Sequence, residues 1–206
     1  MIYIVVALSA EARPLVAHFG LERASDLEPL EVYQRPGLGL IVSGVGKAAA
    51  AAAVDALAAA APSEEHSVWL NLGVAGHRNH PIGTAVLATT ISDEETGASW
   101  TLSTPSDLHF ESGSIRTVEQ VELKFESESV YEMEAAGFCR QAMRLTTPDL
   151  VQVLKIVSDN RETGTLCVSA HQVQGLVEKN LPGIDLLVSY LHRDARKQVV
   201  GPDPDD

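Results

Sequence analysis

Two cysteines in 206 residues, Cys139 and Cys167, are too few for a disulfide scaffold, and no Cys-x-x-Cys spacing offers a metal site. Both read as reduced thiols of a cytoplasmic protein. Positive charge is also scarce, with 15 Lys and Arg against 28 Asp and Glu for a formal net charge of −13. The basic residues are scattered, so the chain lacks the electrostatic footprint of a nucleic-acid binder. Long apolar runs are missing too. Met1 to Ala10 is apolar, but it carries no basic leader and meets Glu11 before reaching the length of a secretory core or a membrane span. The expected partner is therefore a small molecule, with no nucleic acid and no membrane.

What is present suits one folded unit. With 45% hydrophobic residues and no internal linker, residues 1–196 are expected to form a single domain, and residues 197–206, ending Gly-Pro-Asp-Pro-Asp-Asp, a disordered acidic tail. Ile2 to Leu8 is a β-branched apolar run of the kind buried on both faces of a parallel sheet. Ser9 follows as the expected N-cap of a helix running to about Phe19. Leu30 to Gln34 and Leu38 to Ser43 flank Pro36-Gly37 and read as a hairpin. Lys47 to Ala61 is an alanine-dominated helix that ends at Pro62, its small side chains allowing close approach to a sheet.

Val68 to Leu72 reads as a short buried strand from which Gly73-Val74-Ala75-Gly76 turns away. Gly83 to Ile91 is strand-like, Ser99 to Ser103 more weakly so, and the polar stretch from Thr104 to Glu128 offers a strand only at Ser114 to Val118. Val130 to Met133 leads into a helix from Glu134 to about Arg144, and Leu150 to Val157 is strongly β-type. A last helix spans Ser169 to Arg196. Strands alternating with helices predict a three-layer α/β/α sandwich around a central mixed sheet.

Three acids share one topological position. Glu11 follows the first strand, Glu134 follows Val130 to Met133, and Asp159 follows Leu150 to Val157. Open α/β sheets bind ligands beyond the carboxyl ends of their strands, so parallel neighbours would bring the three side chains to one cleft. Each also has a plain structural reading, either a helix-dipole acid or a turn former. Other signals are weaker. Ser43-Gly44-Val45-Gly46-Lys47 fails the phosphate-loop spacing at Ala48 and the dinucleotide fingerprint at Ala49, which leaves glycines that let the backbone turn tightly near a ligand. His77-Arg78-Asn79-His80 lacks a second ligand cluster and reads as a polar loop beside the cleft; no metal and no cofactor are expected.

Five segments in order resemble one family. They are Ala7-Leu8-Ser9-Ala10-Glu11, Ser43 to Lys47 with its alanine-rich helix, Asn71-Leu72-Gly73-Val74-Ala75-Gly76, Tyr131-Glu132-Met133-Glu134-Ala135-Ala136-Gly137, and Val157-Ser158-Asp159-Asn160. Together they resemble the purine nucleoside phosphorylases and nucleosidases, and among these the methylthioadenosine/S-adenosylhomocysteine nucleosidases. The resemblance implies cleavage of the bond between a ribose and a purine. Glu134 would hold the ribose hydroxyls, Met133 would pack on the sugar, and Glu132, Ser158, Val74 and Gly73 would line the substrate site. Asp159 would be the general acid that protonates the departing base, a contribution of roughly a hundred- to ten-thousand-fold. Glu11 would activate the attacking water.

Hydrolysis is preferred over phosphorolysis on two positions. The resemblance places Asn71 where hexameric phosphorylases carry Arg, and Val74 where they carry Ser, and both changes weaken an anion site. Nucleosidases also usually have Ser at the Val74 position. Arg13 and Arg78 are the basic residues considered as phosphate or substrate contacts. The segment before Glu132 is shorter than in nucleosidases and lacks their base-stacking aromatic, with Phe110 and Phe125 the nearby phenylalanines. A phosphate-dependent phosphorylase and a nucleoside-binding protein without turnover are the alternatives, and relatives of this type imply a homo-oligomer, dimer or hexamer.

Overall fold

The computed structural model describes residues 1–24, 29–60, 67–105, 107–163 and 168–200. Its first strand, β1 (Ile2–Val6), is buried along its whole length, as its β-branched run requires. Helix α1 (Ser9–Phe19) follows directly, with Leu8 at the N-cap position. Ser9 is therefore the first helical residue and not the cap, and its hydroxyl instead donates to Glu31 at 2.8 Å. Strands β2 (Glu22–Arg23), β3 (Glu31–Arg35) and β4 (Leu38–Val42) form an antiparallel ribbon, the expected hairpin plus a short strand that two residues of sequence do not announce.

Helix α2 (Lys47–Ala60) leads to β5 (Val68–His77). This strand runs straight through Gly73-Val74-Ala75-Gly76, which the sequence suggested as a turn. These glycines mark close approaches to the strand: an added Cβ would stand 2.8 Å from the Glu11 carboxylate at Gly73, and 2.6 Å from the Phe125 ring at Gly76. Then come β6 (Ala85–Asp93), β7 (Ser99–Thr101), β8 (Glu111–Thr117) and β9 (Val130–Glu132). Helix α3 (Ala135–Ala142) and a 3-10 turn (Pro148–Leu150) precede β10 (Val151–Asp159). The last helix, α4 (Ala170–Val200), continues four residues past its expected end at Arg196, so the supposed tail begins as helix. Pro62, Cys167 and residues 201–206 lie outside the described residues.

Four strands, β4, β1, β5 and β10, are mutually parallel neighbours in that order. On the far side of β10 the sheet continues through antiparallel β6 to β8 and β9, and β9 returns to pair with the end of β5 through Gly76 and His77. The sheet thus closes a ring at one end. Helices cover both faces. Ile2, Ile4 and Val6 share a core with Leu15 of α1 and Ile184 and Leu187 of α4. Tyr3 and Val5 point the other way, into a core with Val54 and Leu57 of α2 and Phe138 of α3. The small side chains do what the alanine run suggested, and at Gly137 an added Cβ would fall 2.0 Å from the Lys47 carbonyl oxygen, so α3 seats against the start of α2 only as glycine.

One irregularity in this topology positions the site. Strand β1 accompanies β5 only as far as Asn71, whereas β9 joins the same edge at Gly76. Between them, β5 has an edge without a strand partner, at the carboxyl ends of the parallel strands. Neighbours that diverge in this way open the crevice where α/β proteins bind ligands.

Candidate active site

The gap is filled by a side chain. Glu11, in the first turn of α1, accepts a hydrogen bond from the Val74 amide on Oε1 at 2.8 Å, replacing the ladder partner that β1 no longer provides. Its Oε2 reaches back to the amides of Ala7 (2.9 Å) and Leu8 (3.0 Å). Burial pushes the Glu11 carboxyl above the ordinary glutamate range, opposed by the Val74 amide, the Lys155 charge and the Leu8 amide. Three donors occupy three of about four acceptor positions on a carboxylate, which leaves room for one more. The group is fixed, basic for a carboxylate, and still able to receive a water.

Glu134 stands at the N-cap of α3, where Gly46 donates its amide to Oε1 at 2.9 Å. Gly44 and Gly46 both take left-handed φ values, 83° and 104°, so the tight turn expected of this loop aims a backbone N–H at the carboxylate. Burial raises the Glu134 pKa, with Lys155 lowering it and Glu132 raising it further. Glu132 differs in kind. Its Oε1 accepts from the Thr117 hydroxyl, while its Oε2 accepts from the amides of Glu134 (2.9 Å) and Ala135 (2.8 Å) and pairs with Lys155 Nζ at 2.9 Å. With four donors on this carboxylate, three of them on Oε2, Glu132 is committed mainly to the protein. Glu132 faces the cavity, but it works as a scaffold for Glu134.

Lys155 is the residue sequence reasoning missed. It sits mid-strand in β10 with its side chain 1% exposed, 2.9 Å from Glu132 and 3.7 Å from Glu134. Burial alone would depress its pKa, but Glu132, Glu134 and Glu11 outweigh that and hold it above the ordinary lysine value. A lone charge inside an apolar run buried on both faces was the available signal, because such a charge requires acidic partners.

Asp159 ends β10 and is buried. The Ser158 hydroxyl donates to its Oδ1 at 2.6 Å, whereas Oδ2 is buried with no hydrogen-bond partner among the described residues. Beside it lies Phe125, since a Cβ on Gly76 would meet the Phe125 ring at 2.6 Å and Asp159 Oδ2 at 2.9 Å. Phe125 packs edge-on to Tyr131, 5.8 Å between centroids, in a small apolar cluster with Val118 and Met133. Phe110 instead packs near Gly183 of α4 in the core of the opposite face.

Glu11, Val74, Glu132, Met133, Glu134, Ser158 and Asp159 all line one cavity of about 280 Å³, together with Val45, Val121, Glu122 and Phe125. Of the expected contacts only Gly73 is not on its wall; it lies behind Glu11 and gives that carboxylate space. The charged lining is acidic throughout. Arg13 is exposed outside the cavity, and Arg78 pairs with Glu128 at 3.3 Å. Asn71 is buried within the sheet and donates to the Val5 carbonyl at 3.0 Å, so position 71 does not face the ligand space. Both ring nitrogens of His77 are engaged, Nδ1 by the amides of Asn79 and His80 and Nε2 by the Glu128 carbonyl, and no group of three metal-ligating side chains occurs among the described residues.

The ringed mixed sheet with helices on both faces is an architecture shared with solved nucleosidase structures. No family model and no curated protein sequence matches the chain. Solved structures do match it. Arabidopsis thaliana 5′-methylthioadenosine nucleosidase in its apo form superposes with a TM-score of 0.79 at 18% identity, covering 92% of this chain and 95% of that one. Helicobacter pylori futalosine hydrolase gives 0.72 at 16% identity, over 92% and 97% of the two chains. The 5′-methylthioadenosine/S-adenosylhomocysteine nucleosidase of the same organism, in complex with a pyrrolidine inhibitor, gives 0.72 at 16%, over 92% and 97%. At these identities the likeness is one of fold.

Proposed function

We propose that the protein is a nucleosidase that hydrolyses the N-glycosidic bond of a purine nucleoside, within a single three-layer α/β/α domain. The observation that carries this reading is the joint placement of Glu11, Glu134 and Asp159 on one cavity whose charged lining is acidic. Glu134 accepts hydrogen bonds from the ribose hydroxyls, and its negative charge stabilises the cationic character that develops at the anomeric carbon. Asp159 delivers a proton to the departing base as the carbon–nitrogen bond breaks. Water held by Glu11 adds to the same carbon and gives up its proton to that carboxylate. Met133 packs on the sugar.

The lining also supports water over phosphate as the nucleophile. A phosphate dianion placed among Glu11, Glu122, Glu134 and Asp159 would be repelled, with no Arg on the wall to hold it. Apolar residues Val45 and Val121, each 55% exposed on the cavity lining, support covering of the mouth by a second copy of the chain. No helix among the described residues is long and apolar enough to cross a membrane.

The test is incubation with methylthioadenosine, adenosylhomocysteine, futalosine, adenosine and inosine, each with and without phosphate. Free base in phosphate-free buffer is the expected result. Strict phosphate dependence with ribose 1-phosphate as product would make it a phosphorylase, and calorimetric binding without base release would make it a nucleoside-binding protein.

A further inference from the structure

The loop between β8 and β9 joins two unusual features. Phe125 is the one residue other than glycine, among those described, with a positive φ (48°), a left-handed conformation that is strained for an aromatic residue. It is nonetheless almost fully buried, and its ring lies where Asp159 keeps its one unpartnered buried oxygen. Strain of this kind persists only where surrounding contacts impose it. Here the imposing group is Arg161, two residues beyond Asp159. Its Nε donates to the Lys124 carbonyl at 3.0 Å, and its Nη2 donates to the same oxygen at 2.8 Å and to the Phe125 carbonyl at 3.0 Å. Glu122 ties the inner side by accepting the amides of Lys124 and Phe125.

A general acid must come within about 2.6–3.2 Å of the atom it protonates. Asp159 Oδ1 is occupied by Ser158, and Oδ2 has no access to solvent. We infer that Phe125 is a gate on the leaving-group side, latched shut by Arg161, and that a nucleobase reaches the buried Oδ2 of Asp159 only by displacing the ring. The gate determines specificity: the bases accepted are those whose bond to Oδ2 offsets the opening. Arg161 acts through Phe125 and is a positioning residue. The inference rests on Asp159 being the acid.

Two measurements test it separately. Amide hydrogen exchange in Arg161→Ala should quicken about tenfold or more over residues 119–129, as loss of charge-assisted hydrogen bonds dictates, while the rest of the chain is unchanged. Unchanged exchange in that loop overturns the latch. Association of free adenine and hypoxanthine, followed by stopped flow and calorimetry, should be about tenfold tighter in Phe125→Ala than in wild type, because the closed fraction no longer reduces the apparent affinity. Phe125→Leu serves if the alanine variant fails to fold, with a smaller gain. Base release by the wild type combined with unchanged or weaker base affinity in both Phe125 variants overturns the gate and leaves the nucleosidase reading intact. If no nucleoside is cleaved, that reading fails, and the exchange measurement still decides the latch.

Discussion

The two ends of the cavity are built on different principles. On the side proposed to hold the sugar, Glu11, Glu132, Glu134 and Lys155 are held by strand ends, backbone amides and each other, and Glu132 alone takes four donors. On the side proposed for the leaving group, Asp159 has an unsatisfied oxygen under a strained phenylalanine, on a loop tied by a few polar contacts. The difference matches the tasks. Charge that develops at the sugar is best met by groups that need not reorganise, whereas a base must enter and depart and needs a wall that yields.

The comparison breaks most severely at Asp159. Asp159→Asn keeps the shape but removes the proposed proton donor, and steady-state base release should fall roughly a hundred- to ten-thousand-fold while the melting temperature holds. Lys155→Met attacks the other side, leaving Glu132 and Glu134 buried without their cation. Urea unfolding should show a loss of about 3–5 kcal/mol, the usual result of removing one partner from a buried pair, and an unchanged midpoint would mean that the lysine is not needed to balance them. Gly76→Ala should cost less, about 1–3 kcal/mol, because the new methyl meets the Phe125 ring and Asp159 together. Enhanced amide exchange confined to residues 119–129 would locate the damage on the yielding side.

The smallest effect is that of pH. Glu11 must be ionised to accept a proton, and burial raises its pKa, so the acid limb of kcat/KM should lie above the ordinary glutamate value of 4.5. A limb at or below that value contradicts the assigned base. Stability moves in the opposite sense. Folding raises the pKa of both Glu11 and Glu134, so between the unfolded and folded values the native state holds protons that the unfolded chain has lost. Their contribution to stability therefore falls as pH rises through the folded pKa.

The ends of the buried strands were the most legible part of the site in sequence, on both sides of the cavity. A β-branched run followed at once by an acid fixed β1 and Glu11, and the same pattern placed Asp159 at the end of β10, because strand burial and strand-end position are local properties. Lys155 escaped notice because its partners come from a segment more than twenty residues earlier, and a lone lysine in an apolar run carries no mark of them. Gly73 and Gly76 were read as a turn because sequence cannot distinguish a glycine that bends the chain from one that admits a neighbour's side chain. The loop carrying Phe125 was opaque for a related reason: its order comes from Arg161, Tyr131 and His77, all contributed by other elements.

The amide of Val74 gives the gap in the sheet a wider meaning. The proposed base, Glu11, also completes the hydrogen bonding of β5, where no strand is present to do so. Disabling this residue by truncation would strand three backbone donors, those of Ala7, Leu8 and Val74. Loss of chemistry at this position therefore brings loss of robustness, so a lineage drifting away from turnover would shed Asp159 at little structural cost long before it could dispense with Glu11.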